Sequence, residues 1–97
     1  MESRDDDNTV FIGTKPFMNY VTSVVMQFTS KEKNEVIVKA RGKHINKAID
    51  IVEAVRKRFL KDKNIEIKNT KIDSEELENK LGKKTNVSMI EITIRKR

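Results

Sequence analysis

Apolar residues along this chain change their spacing several times, and each change marks an element. Thr9, Val10, Phe11 and Ile12 form a short β-rich run closed by Gly13, which predicts a first strand. Pro16 suits the first turn of a helix, where its missing N–H is not needed, and Phe17, Val21, Val24, Val25 and Phe28 follow at helical spacing on one buried face. After the polar residues 29–34, Val36, Ile37 and Val38 make a nearly continuous apolar run, the pattern of a strand covered on both faces. Gly42 breaks it. A second amphipathic helix then carries Ile45, Ala48, Ile49, Val52, Val55 and Phe59 on one side and Lys47, Asp50, Arg56 and Lys57 on the other. Its start falls at Lys43 or, with Asn46 as cap, slightly later.

Beyond Asn64, Ile65 and Ile67 alternate with Glu66 and Lys68, a strand with one wet face whose far end, near Ile72, changes parity. Ile90, Ile92 and Ile94 alternate with Glu91, Thr93 and Arg95 in a fourth strand entered through Asn86, Val87, Ser88 and Met89. Between these strands, residues 74–81 have helix propensity, yet the stretch is short for an independent helix. Gly82 with its flanking lysines equally suits the tip of a long hairpin, so both readings stand. The order βαβαββ with short connections and right-handed crossovers predicts an α+β, two-layer fold, a mixed four-stranded sheet with both helices on one face. Residues 1–7, polar and acidic, read as a flexible leader to a single domain over residues 8–97.

Composition narrows the function. Ninety-seven residues fit one domain that buries only roughly two-thirds of the surface its unfolded form exposes, which favours oligomerisation. Lys+Arg number 21 against 15 Asp+Glu, a net charge of +6, and Glu2, Asp5, Asp6 and Asp7 crowd the leader, so the folded body is more basic than the total. Such a body prefers polyanions. Without cysteine there are no disulfides, thiolate catalysis or cysteine zinc sites. Neither a signal peptide nor a membrane-length apolar run is seen, and the default is a soluble protein inside the cell.

Catalysis finds little support. His44 is the only histidine, so a two-histidine ribonuclease mechanism is excluded, and Asp73, Glu75, Glu76 and Glu78 read as a solvated loop before they read as a metal site. No phosphate-loop or dinucleotide motif occurs, and neither a cofactor nor a small-molecule substrate is expected. The basic loops say more. Gly13, Thr14, Lys15 and Pro16 bring backbone amides, a hydroxyl and an ammonium to the positive end of the first helix, and Lys39, Ala40, Arg41, Gly42, Lys43 and His44 repeat the arrangement. Both follow parallel strands and leave one sheet edge. Lys47 extends that surface by a helical turn, whereas the cations from Arg56 to Lys63 fit better as a helix cap. Lys80, Lys83 and Lys84 surround the presumed hairpin tip. Of the few aromatics, Tyr20 is the candidate for an exposed one.

These loops sit inside motifs of a known family. NTVFIGTKPFMNY (Asn8 to Tyr20), VIVKARGKHINKAID (Val36 to Asp50), EAVRKRFL (Glu53 to Leu60) and the C-terminal SMIEITIRKR resemble, in order, the Alba family of archaeal chromatin proteins. The resemblance implies a homodimer, folded like the C-terminal domain of a bacterial translation initiation factor, that binds double-stranded DNA and RNA with little sequence preference, condenses the chromosome and resides with it in the cytoplasm. Carried over by position, Lys15, Arg41, Lys43 and Lys47 would contact the backbone, with Thr14, Asn19, Tyr20 and His44 beside them. The hairpin around Lys80, Lys83, Lys84 and Asn86 would be a flexible arm following the minor groove. Phe59 would mediate dimer–dimer contact in higher-order arrays.

Three departures carry consequences. Thr14 stands where many relatives carry a modifiable lysine, which removes acetylation control at that position and leaves Lys15 as the candidate target. Glu75, Glu76 and Glu78 make the arm acidic, which weakens duplex binding or confines contact to the tip. His44, replacing a small residue, either adds a phosphate contact below neutral pH or is a neutral surface residue, the preferred reading. The resulting expectation is a nonenzymatic binder of phosphate backbones. The alternatives are an RNA-first protein acting on structured transcripts, a metal-dependent nuclease, and a basic structural protein that binds acidic partners.

Overall fold

In the computed structural model, residues 8–97 are described; the acidic leader expected over residues 1–7 lies outside them. The elements are β1 (Thr9–Phe11), α1 (Phe17–Phe28), β2 (Glu35–Arg41), α2 (Ile45–Ala54), β3 (Ile65–Glu78) and β4 (Lys84–Lys96). They form one four-stranded sheet in the order β1-β2-β4-β3, parallel between β1 and β2 and antiparallel elsewhere. This is the expected α+β architecture. Both helices pack on β2 and on each other, with α1 also against β1 and α2 also against β4.

The core follows from strand parity. Val36, Val38 and Ala40 of β2 lie opposite Ile94, Ile92 and Ile90 of β4, and all six are buried. From the helices, Tyr20, Val21, Val24 and Phe28 of α1 and Ala48, Ile51 and Val52 of α2 close over them. The alternate residues face the other way, so β2 is not apolar on both sides as its sequence suggested: Ile37 and Lys39 are half-exposed. That open face carries cross-strand ion pairs. Lys39 meets Glu91 at 3.6 Å, Lys68 meets Glu35 at 2.6 Å, and Glu66 meets Arg95 at 2.5 Å and Arg97 at 3.3 Å.

Helix two differs from its sequence reading in which residues it buries. Ile51, Val55 and Leu60 are buried, whereas Ile49 and Phe59 are 40% and 43% exposed. A 3-10 turn at Gly42–His44 precedes α2. Ile49 lies in the regular part of α2, at the edge of the face centred on Ala48, Ile51 and Val52, while a π-helical turn at Val55–Phe59 carries Phe59 off that face. Arg56 ties this end to β3, donating Nε–H to the Ile65 carbonyl at 3.2 Å and reaching Glu53 at 2.5 Å, and Lys57 reaches the same carboxylate at 3.1 Å.

The segment 74–81 resolves as hairpin. β3 runs to Glu78 and pairs with β4 along its length, Glu78 opposite Lys84. The parity change near Ile72 has a local cause: a bulge between Ile67 and Asn69 inserts Lys68, and Ile67 and Ile72 thereby lie opposite the core residues Ile94 and Ile90. Beyond the helices no described residue covers that face, and Ile72 is 76% exposed. The tip is closed by Asn79, whose Oδ1 accepts the N–H groups of Leu81 and Lys83, both at 2.9 Å, while Gly82 takes a φ of +78°. The hairpin is the arm that stretches the molecule to 50 × 30 × 24 Å.

Two expectations follow. Ile94, fully buried at the centre of the sheet, makes Ile94→Ala cost about 2–5 kcal/mol of stability in urea titrations at fixed protein concentration, and a loss well under that range would mean the core is centred elsewhere. Burial pushes the Glu53 carboxyl up, but the hydrogen bonds and charges of Arg56 and Lys57 outweigh it and hold it below the ordinary 4.5. Glu66 is likewise lowered, chiefly by its hydrogen bond from Arg95. A carboxylate depressed on folding contributes stability that is complete above its unfolded value and lost as pH falls through its folded value. Melts from roughly pH 5 to pH 2 should therefore show a shallower acid decline in Glu53→Gln than in the parent.

Candidate nucleic-acid interface

Because β1 and β2 are parallel neighbours, the loops that follow them leave the same edge of the sheet. The first loop is held by two side chains from the helices. The Tyr20 hydroxyl accepts the N–H of Gly13 at 2.9 Å and that of Lys15 at 3.0 Å. Lys47, from α2, donates to the carbonyls of the same residues, 2.8 Å to Gly13 and 2.6 Å to Lys15, with its ammonium 5.0 Å from the Tyr20 ring centroid. A Cβ at Gly13 would stand 3.4 Å from the Tyr20 hydroxyl, within ordinary contact. The loop is therefore clamped through its backbone, leaving the Thr14 and Lys15 side chains exposed.

This corrects two expectations. Tyr20 is buried at 8% exposure, so it is a brace beneath the loop and not an exposed aromatic beside it. The Gly13 and Lys15 amides point at its hydroxyl, so they are engaged within the protein instead of gathering around an anion. Lys47 is half-buried, with two of its three N–H donors directed at carbonyls. What remains for an anion is the Lys15 ammonium and the start of α1, where Pro16 is the N-cap, no side chain caps the helix and no acid occupies the first turn. Asn19 lies exposed in that first turn and lines, with Lys15, Tyr20, Ser23 and Gln27, a groove between α1 and β1.

The second loop turns on Gly42, whose φ of +53° a side chain would strain, and passes through Lys43 and His44 into α2. Lys43 is exposed and makes no ion pair among the described residues. His44 is half-buried and lines a small cavity with Phe11, Lys39, Arg41 and Met89. Arg41 is also exposed, but its guanidinium is held by the Glu75 carboxylate of β3.

A second cationic cluster lies at the arm's tip, where Lys80, Lys83, Lys84 and Asn86 are all exposed. Its shaft is acidic through Asp73, Glu75, Glu76 and Glu78. Phe59 projects from the π-helical turn with the Arg58 guanidinium 5.6 Å from its ring centroid. Three features escaped the sequence reading: the Lys47 clamp, the Arg41–Glu75 pair, and Phe11, 61% exposed with Lys39 at 5.6 Å from its ring. The first two depend on contacts between residues more than thirty apart, for which spacing gives no signal. Alternation within β1 could have exposed Phe11, since Val10 and Ile12 on either side are buried. No group of three or more His, Asp or Glu among the described residues is arranged to hold a metal, and none of their helices is long and apolar enough to cross a membrane.

Comparison with known proteins agrees with this arrangement. The Alba family profile matches residues 8–74. A DNA/RNA-binding protein Alba from Methanocella arvoryzae is 48% identical over 91 residues, covering 94% of this chain and 92% of that protein. The protein of the same name from Nanoarchaeum equitans is 51% identical over 89 residues, 91% of this chain and 97% of that protein. Among solved structures, Alba from Thermoplasma volcanium superposes with a TM-score of 0.81 at 44% identity, covering 92% of this chain and all of that one (100%). An Alba protein from Trypanosoma brucei gives 0.65 at 25% identity, covering 92% and 68%. With its fold and nearly its whole length matched by these proteins, the chain belongs to the Alba family.

Proposed function

We propose that this protein binds double-stranded DNA and RNA as a homodimer, through phosphate contacts that carry no base code, and so helps to organise the chromosome in the cytoplasm. The observation that carries the reading is the pair of cationic loops at one sheet edge, with Lys15 and Lys43 exposed and without carboxylate partners among the described residues. Phosphate contacts position a protein on a duplex without reading sequence, and flexible ammonium groups on rigid loops suit that task. The names of the relatives, DNA/RNA-binding proteins, support the same class of ligand.

Within this reading Lys15, Lys43 and Arg41 are the direct phosphate contacts, Thr14, Asn19 and His44 border them, and Tyr20 and Lys47 act by positioning the first loop. Lys80, Lys83, Lys84 and Asn86 would engage a groove from the arm, the acidic shaft standing clear of the phosphates. Exposed Ile49, Ile67 and Ile72 in so charged a chain support covering by a second copy, and Phe59 remains the proposed contact between dimers along nucleic acid. The reaction class is binding alone, with no catalytic residue assigned.

Salt titration of duplex affinity tests the core of the proposal. Log affinity should fall linearly with log salt, and Lys15→Ala should reduce the slope by about 0.9 while weakening unrelated sequences equally. A salt-independent affinity, or a change in sequence preference alone, would overturn it. Tyr20→Phe should weaken binding several-fold with the salt slope unchanged, because it removes two of the four hydrogen bonds that clamp the loop without removing a charge. Wild-type affinity in that variant would mean the brace has no bearing on the interface.

A further inference from the structure

Of the loop cations Lys15, Arg41 and Lys43, Arg41 is the one held by a carboxylate among the described residues. The contact is long-range. Arg41 ends β2 opposite Met89 of β4, and Glu75 of β3 lies opposite Val87, two residues along the same strand, so both side chains share the open face and meet across β4. The pair sits where the arm leaves the body, beside the second loop, whose Gly42 approaches Val87 closely enough that a Cβ would stand 3.7 Å from its side chain.

A carboxylate and a phosphate present the same kind of paired oxygen acceptors to a guanidinium fork, so one displaces the other at the same N–H groups. We propose that Glu75 is an internal competitor for phosphate at Arg41: in the free protein it occupies the guanidinium and ties the root of the arm to the second loop, and a nucleic-acid phosphate takes its place. The proposal rests on the reading that Arg41 contacts phosphate. Both side chains are about half exposed, 53% for Arg41 and 43% for Glu75, so water and ions reach the pair and it is weak enough to exchange. Glu75 is also singled out within the shaft, because Asp73, Glu76 and Glu78 form no ion pair among the described residues. Once displaced, its carboxylate is an unpaired negative charge at the arm's root, repelling the duplex and turning the shaft away from it.

The exchange has an ionic signature. Neutralising a phosphate releases a counterion, but the freed carboxylate gathers one back, so the parent shows a shallower salt dependence than its phosphate contacts alone would give. Duplex binding measured by fluorescence anisotropy across several salt concentrations tests this with full-length parent, Glu75→Gln, Arg41→Ala, the double variant and Glu76→Gln. Glu75→Gln should bind about two- to fivefold tighter at low salt and with a slope steeper by up to about 0.9. Neither change should survive in the Arg41→Ala background, and Glu76→Gln should not reproduce them. Weaker binding by Glu75→Gln would make the carboxylate a support that orients Arg41 and overturn the proposal, as would an equal gain from Glu76→Gln, which would reveal a general effect of arm charge. If Arg41→Ala alone binds like the parent, the assignment of Arg41 to phosphate fails, and the competition falls with it.

Discussion

The antiparallel pairing of β2 with β4 organises the rest of the molecule. Because successive side chains in a strand point to opposite faces, placing Val36, Val38 and Ala40 opposite Ile94, Ile92 and Ile90 gives the helices one continuous apolar floor. The same parity sends Glu35, Lys39 and Arg41 to the other face, among Glu91, Arg95 and the carboxylates of β3. A slip of one residue would bury those charges and expose the isoleucines, so burial fixes the register and the register fixes every ion pair on the open face. Position on the sheet then decides the loops: with β1 parallel to β2, both strand-to-helix connections must emerge at one edge.

Placing a loop at an edge does not hold it there. A strand-to-helix turn has backbone groups that need partners, and in the first loop Tyr20 and Lys47 supply them from two different helices. The division of labour follows from side-chain chemistry. A hydroxyl oxygen with two lone pairs accepts two amides, while an ammonium with three donors serves two carbonyls. With its backbone satisfied internally, the loop offers solvent the side chain of Lys15, so the cation is presented by a fixed base instead of by a mobile turn.

Much of this was legible in the sequence, and the exceptions share a physical cause. Strict alternation at Ile90, Ile92 and Ile94 located β4, and the clash between Ile65–Ile67 and Ile72 signalled the bulge that the structure places at Lys68. Local propensity could not choose between helix and hairpin for residues 74–81, because the deciding energy is the pairing of residues 74–78 with 84–88, which propensity does not register. Periodicity groups Ile49 and Phe59 with the apolar side of the second helix, but Ile49 falls at the edge of the buried face and the π turn carries Phe59 away from it. At the candidate interface, sequence located the two loops and their cations. It could not separate Lys15, which faces solvent, from Lys47, which faces carbonyls, since a lysine in a cationic stretch reads the same in both roles until its neighbours in space are known.

The net charge of +6 is a poor guide to where a polyanion would settle, because the cations differ in what surrounds them. On the open sheet face Lys39, Arg41, Lys68, Arg95 and Arg97 each stand against a carboxylate, and the local field there largely cancels. Arg56 and Lys57 share Glu53 in the same way. Lys15 and Lys43 have no such partner among the described residues, and Lys15 adds its charge to the positive end of an uncapped helix. Within a screening length of roughly 8–10 Å only local, uncancelled charge is felt by a phosphate. Among the described residues, cations without an ion pair stand at the loop edge, at the arm tip beyond the acidic shaft, and at the end of the second helix in Arg58, Lys61 and Lys63, and on the proposed reading a duplex would join the first two sets at the ends of the protein.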